Sequence, residues 1–334
     1  MDFTIIVLII IILLAVIFEY INGFHDSANA VATVVSTKAL TPRRAIIYAA
    51  VLNLGGALLG THVAKTIGGG IVDTGSVTQT VIACALIGAI IWNLFTWYYG
   101  IPSSSSHALI GGLIGAAMMH SGFKVVKITG LVEKVLIPMV TSPMLGIFVG
   151  FTIMLLFLWI FLKSNPELVN RNFKKLQLIS SGFLALSHGS NDAQKTMGII
   201  TLLLLSSGYI DKMEVPLWVI LLCATTMAFG TMAGGWKIIK TMGSKIIKVK
   251  PIHGFAAEVS SASIILTASH FGIPVSTTHI ISTSIMGVGS TQRASAVRWG
   301  IVGNIVTAWV VTIPACMFMS ALSYIIVTKI AHLF

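Results

Sequence analysis

The 334-residue chain is 56% hydrophobic and only 9% charged, with a mean hydropathy of +0.95 and a formal net charge of +11. Soluble domains carry roughly 25% charged residues, so soluble globular, disordered and disulfide-scaffold classes are excluded. The basic residues fall in short loops between apolar runs, a pattern of cytoplasmic retention and not of nucleic-acid binding. Composition defines an all-α polytopic membrane protein, since a β-barrel would show short alternating segments.

Residues 3–20 form the first apolar run, long enough to cross much of a bilayer. It lacks a basic leader and runs into a polar motif, not a cleavage site, so it reads as a retained transmembrane helix. That motif, NGFHDSANA at 22–30, puts Asn22, His25, Asp26, Ser27 and Asn29 in or beside membrane-spanning sequence. Such groups normally line a cavity or a path for ions. Glu19, one turn earlier, adds a candidate supporting carboxylate. Further apolar segments fall at 45–66, 77–99, 106–120, 135–162, 176–207, 216–236, 252–271, 278–290 and 299–330. A second polar motif, SHGSNDAQKTMG at 187–198, interrupts the segment 176–207, as the first interrupts 3–38. Both motifs are therefore expected to break their helices and free backbone carbonyls. Cys84, Cys223 and Cys316 lie singly in apolar runs and read as small buried hydrophobes.

The chain is duplicated. GIPSSSSHALIGGLIGAA begins at Gly100 and GIPVSTTHIISTSIMGVG at Gly272, and the two polar motifs precede them in the same order. Aligning Asp26 with Asp192 also puts Gly23 on Gly189. The hydrophilic stretch 163–175 separates a first repeat at 1–163 from a second at 176–334, with 164–175 a cytoplasmic linker. Loop charge is opposed between equivalent loops: Lys38, Arg43 and Arg44 against Asp211, Lys212 and Glu214, then Asp73 against five lysines at 237–250. By the positive-inside rule the repeats are inverted, with the amino terminus outside and, if each half crosses an odd number of times, the carboxyl terminus outside too. Transporter folds built this way use broken helices and re-entrant or half-helix segments, with sites at the repeat interface.

At each Gly-Ile-Pro, proline ends one helix, and the hydroxyl run after it suits capping of the next. The helix starts, with Ser104, Ser105 and Ser106 or Ser276, Thr277 and Thr278, present N–H groups, partial positive charge and hydroxyls to an oxyanion. Asp26 and Asp192, with Asn22, Asn29 and Asn191, offer hard oxygen ligands to a small cation such as sodium. No imidazole or thiolate spacing suits a transition metal. Gln194 and Lys195 could donate to an anion, although a lysine could equally snorkel to an interface. Glu258, within an apolar span, is a cation ligand or a neighbour's partner, and His107 and His279 relay protons or orient hydroxyls.

NGFHDSANAVAT, SHGSNDAQKTMG and the two GIP-hydroxyl-His segments together resemble the inorganic phosphate transporter (PiT) family over essentially the whole chain. The resemblance implies a symporter of phosphate with sodium or protons, without a cofactor or enzymatic activity, in the plasma or inner membrane, and a homodimer. It implies phosphate ligands among Ser104, Ser105, Ser106, Ser276, Thr277 and Thr278, with Asn29 and Gln194 nearby. Asp26 and Asp192, with Asn22 and Asn191, would hold the cations, and His107, His279, Lys195 and Glu258 would support them. His25 stands where many members have asparagine, a form similar to bacterial members described as proton-coupled. A sulfate symporter is the nearest alternative. An intramembrane hydrolase using Ser105, His107 and Asp26 fits chain order but lacks a nucleophile elbow, and catalysis would not need the constellation twice.

Overall fold

The computed structural model describes residues 3–331, among which thirteen α-helices form. The first half runs α1 (Phe3–Ser36), α2 (Pro42–Ala57), α3 (His62–Gly69), α4 (Gln79–Tyr99), α5 (Ser105–Ser121), the short α6 (Ile128–Leu131) and α7 (Ile137–Ile160). The second runs α8 (Pro166–Ser206), α9 (Leu217–Ala233), α10 (Trp236–Lys240), α11 (Pro251–His270), α12 (Thr277–Ser290) and α13 (Trp299–Ala331). Each half thus has a long helix, a bent pair, a helix ending in a glycine turn, a short helix and a long helix interrupted by proline. The bends are 73° between α2 and α3 and 64° between α9 and the helix from Trp236.

The breaks are not where the polar motifs led us to expect them. Both α1 and α8 run unbroken through 22–30 and 187–198. Helices tolerate polar side chains mid-membrane when these face the bundle interior, because the backbone ladder itself stays satisfied. Glycines in the motifs serve close packing instead. A Cβ on Gly23 would lie 2.6 Å from the Met227 carbonyl and 3.0 Å from Gly230 Cα; one on Gly189 would lie 2.1 Å from the Asn53 carbonyl. So α1 meets α9 backbone to backbone, and α8 meets α2 in the same way. The chain breaks one element later, at 58–61 and 234–235. Most of the polar stretch 163–175 is also helical: Asn165 caps α8 through the Glu167 N–H at 2.9 Å, and Pro166 opens it.

Packing exchanges the halves. Helix α5 packs on α13 and α12 on α7, while α8 packs on α2 and α1 on α9. Reciprocal exchange of this kind is what a two-fold relation between halves produces. Only 17% of the apolar windows of α6–α7 and of α13 are buried, and Phe148, Trp159, Val310 and Phe318 point outward. In water so large an apolar exterior would aggregate; it belongs against lipid. Inside lie two apolar cores. One gathers Leu8, Phe18, Leu113 and Met197, and the other Val34, Leu184, Ile246 and Ile280. The polar motifs of α1 and α8 occupy the band between them.

Candidate functional site

The two GIP turns are built alike. Gly100 and Gly272 both take φ of +66°, a left-handed conformation that only glycine adopts without strain, and so end α4 and α11. Ser104 then caps α5 by accepting the His107 N–H at 3.2 Å, and Ser276 caps α12 by accepting that of His279 at 3.3 Å. Each turn is fastened to the opposite half: Thr241 donates to the Gly100 carbonyl at 2.9 Å and Thr66 to that of Gly272 at 2.7 Å. The two turns meet through His107 and His279, whose rings pack edge to face at 4.9 Å, with Trp309 stacked on His279 at 3.9 Å. Ser104, Ser105, Ser106, Ser276, Thr277 and Thr278 are all buried.

The carboxylates converge on these turns. Oxygens of Asp26 and Asp192 and a ring nitrogen of His188 lie within 4.8 Å of one another, all buried. Thr277 donates to Asp192 Oδ2 at 2.9 Å and Thr278 to Asp26 Oδ1 at 3.4 Å. Asn29 donates to both threonine hydroxyls, at 3.2 and 2.9 Å. Lys195 is buried, bonded to Asp192 Oδ1 and to the Val275 carbonyl at 3.2 Å, so it belongs to the site and not to an interface. The two carboxylates outnumber the one ammonium in this buried space. At an effective dielectric of about 20, two unit charges this close repel by about 3 kcal/mol.

Three amide oxygens here accept no hydrogen bond among the described residues: Asn22 Oδ1, Asn29 Oδ1 and Asn191 Oδ1. Their nitrogens are engaged, Asn22 with Glu19 at 3.4 Å and Asn191 with Ser269 at 2.9 Å. Buried acceptors are almost always satisfied, so these donor-free amide oxygens, on the same two helices as Asp26 and Asp192, are hard acceptors of the kind that a small cation takes. Ser105 Oγ, at the start of α5, is likewise without a partner and free to donate.

Not every candidate joins this cluster. Gln194 turns aside: its Oε1 accepts from the Val63 N–H at 2.8 Å and so caps α3. Glu258 accepts from Thr33, Gln177 and Ser180 in a separate buried network, with Thr33 about 10 Å along α1 from Asp26 at 1.5 Å per residue. The hydrolase reading fails here, because neither Ser105 Oγ nor His107 Nδ1 finds a hydrogen-bond partner, so no triad exists. One residue that the motifs did not single out, and the contacts of another, also matter here. His188 lies 3.0 Å from Asp192; aligning the two motifs would have placed it opposite Asn22. His25 bridges Asp26 at 2.8 Å and Thr96 at 3.0 Å, with Ser103 at 3.4 Å, linking the first GIP turn to α1.

A multi-pass helical bundle that encloses hydroxyl-capped helix starts beside paired carboxylates has the parts of a carrier of small ions. Residues 22–320 match the model of the phosphate transporter family. Over 315 residues the chain is 50% identical to a probable low-affinity inorganic phosphate transporter of Rhizobium meliloti (strain 1021), covering 94% of each. It is 46% identical over 333 residues to one of Bacillus subtilis (strain 168), covering 99% of this chain and all of that one. A solved structure described as the sodium-dependent phosphate transporter superposes with a TM-score of 0.87 at 27% identity, covering 97% of this chain and 99% of the other. The chain belongs to the phosphate transporter family and is not an enzyme.

Proposed function

We propose that the protein is a secondary active symporter that imports inorganic phosphate with sodium by alternating access. One observation carries this: Thr277 and Thr278 touch both aspartates, so the oxyanion and cation positions share residues. Sodium, held by Asp26, Asp192 and the free oxygens of Asn22, Asn29 and Asn191, neutralises the excess negative charge. Phosphate then binds among Ser104, Ser105, Ser106, Ser276, Thr277 and Thr278, with Lys195 as counter-charge. A half-loaded site leaves buried charge unpaired, which disfavours the occluded state and so couples the two fluxes. The sodium dependence stated for the superposing structure supports this choice of ion.

A proton is the second reading, favoured by the contact of His25 with Asp26 at 2.8 Å. The halves at 1–163 and 176–334 would be inverted in the plasma membrane, with the basic stretch 164–175 cytoplasmic and both termini outside. Two copies would form a homodimer. Radiolabelled phosphate uptake into proteoliposomes, with sodium and proton gradients imposed separately, tests the mechanism. Sodium-driven accumulation is expected; uptake indifferent to both gradients would replace symport with facilitated diffusion.

A further inference from the structure

A cavity of about 270 Å³ opens at the break between α2 and α3, lined by Gly60, His62, Ser190, Gln194, Ser269 and His270 among others. His62 and His270 are exposed at its rim, with ring centroids 6.3 Å apart, whereas Ser190, Gln194 and Ser269 are buried at its floor. The floor adjoins the ion cluster: Ser269 accepts from Asn191, and Gln194 follows Asp192 by two positions on α8. Around Gly60 the space is open and faced by nitrogen. A Cβ there would meet only His62 Nδ1 at 3.5 Å and Gln194 Nε2 at 3.9 Å.

The duplication supplies an internal control. The repeat alignment puts Phe24 opposite Ser190, Trp97 opposite Ser269 and Tyr98 opposite His270. Lys237 stands opposite His62, each packed against the GIP glycine of the other half. In that half the space is filled. Phe24 and Trp97 pack edge to face at 5.3 Å, and Lys237 bonds the Tyr98 carbonyl at 2.8 Å, its ammonium 4.4 Å from the Tyr98 ring. The same architectural position is therefore a polar cavity at one end of the site and an aromatic plug at the other. A carrier open to one side has this form.

We propose that the cavity is a staging site for inorganic phosphate, occupied before the anion reaches the hydroxyl turns. This rests on the transport reading above. The imidazole N–H groups of His62 and His270 receive the oxyanion, and the second amide hydrogen of Gln194, whose first goes to the Ser190 carbonyl, meets it at the floor. Gln194 also caps α3, so an anion here touches the residue that fastens the helix break to α8.

Phosphate uptake by reconstituted His62→Ala/His270→Ala, both exposed and so harmless to folding, should show KM raised about tenfold at unchanged maximal rate. Gly60→Cys places a thiol in the cavity, while Cys84, Cys223 and Cys316 are buried. Its labelling by a membrane-impermeant thiol reagent should slow in saturating phosphate. Protection should persist in Gly60→Cys/Asp26→Asn, which lacks coupled uptake. Wild-type KM in the double histidine variant, or labelling indifferent to phosphate in a protein that still transports it, overturns the staging site alone. A wild type that takes up no phosphate removes the transport reading, and the staging site with it.

Discussion

Thr277 donates its hydroxyl to Asp192 across 2.9 Å, joining the first residue of α12 to the carboxylate of α8. Hydrogen bonds to charged groups contribute about 1.5–3 kcal/mol, so Thr277→Val should raise the phosphate KM at least about tenfold. Ser105→Ala separates binding from folding. The Ser105 hydroxyl is buried without a partner among the described residues, so its loss should not lower stability while still raising KM. Saturation curves and thermal unfolding in detergent check both. Unaltered curves for the two variants would take the hydroxyl turns out of the substrate site.

Asp192 and Lys195 form a buried ion pair, and breaking such a pair from one side costs about 3–5 kcal/mol because a lone charge stays behind. Asp192→Asn should therefore lower thermal stability sharply. Asp192→Asn/Lys195→Met should recover most of that loss, yet remain unable to accumulate phosphate against a gradient. Stability measured alongside uptake distinguishes a folding role from a transport role; a double variant that accumulates phosphate normally would mean the pair is structural.

The His25 ring spans Asp26 and Thr96. His25→Asn should leave phosphate affinity within about threefold and remove whatever part of uptake a proton gradient drives, because an amide cannot take up and release a proton as an imidazole can. Asp26→Asn should abolish accumulation under either gradient. Imposing the two gradients one at a time on both variants reads this directly; proton-driven uptake intact in His25→Asn would exclude that histidine from coupling.

Gly189 allows α8 to rest on α2, with the position of a Cβ lying 2.1 Å from the Asn53 carbonyl. Backbone cannot step aside as a flexible side chain can. Gly189→Ala should cost roughly 1–3 kcal/mol or more and lower the unfolding temperature. By contrast Gly55→Ala, one residue from the same contact zone but with open space at its Cβ, should be nearly neutral.

Sequence carried a good deal of this. The paired aspartates, the hydroxyl caps at Ser104 and Ser276 and the helical class all follow from motif chemistry and composition. Continuity of α1 and α8 did not, because hydropathy registers a polar motif as an interruption whether or not the backbone bends. The true bends at 58–61 and 234–235 fall in short stretches whose glycines resemble those of ordinary helix packing. His188 was hidden for another reason, and the partners of His25 with it: a histidine's partner is set by which helix crosses it, and crossings are tertiary facts.

Selectivity between phosphate and sulfate follows from the same cluster. Around Asp26 and Asp192 the visible donors, Thr277, Thr278, Lys195 and Asn29, are already committed to carboxylate or hydroxyl oxygens. A tetrahedral anion entering here brings its own oxygens close to carboxylates, which repel it unless one of those oxygens carries a proton to donate. Phosphate and arsenate are partly monoprotonated or diprotonated near neutral pH, while sulfate has no proton left. Arsenate should therefore compete with labelled phosphate at about its own concentration, and sulfate only at an excess of about a hundredfold, the factor for a hydrogen bond of about 2.7 kcal/mol to a charged group. Competition assays at fixed ionic strength measure this. Sulfate inhibiting as strongly as arsenate would mean that the carboxylates do not face the bound anion.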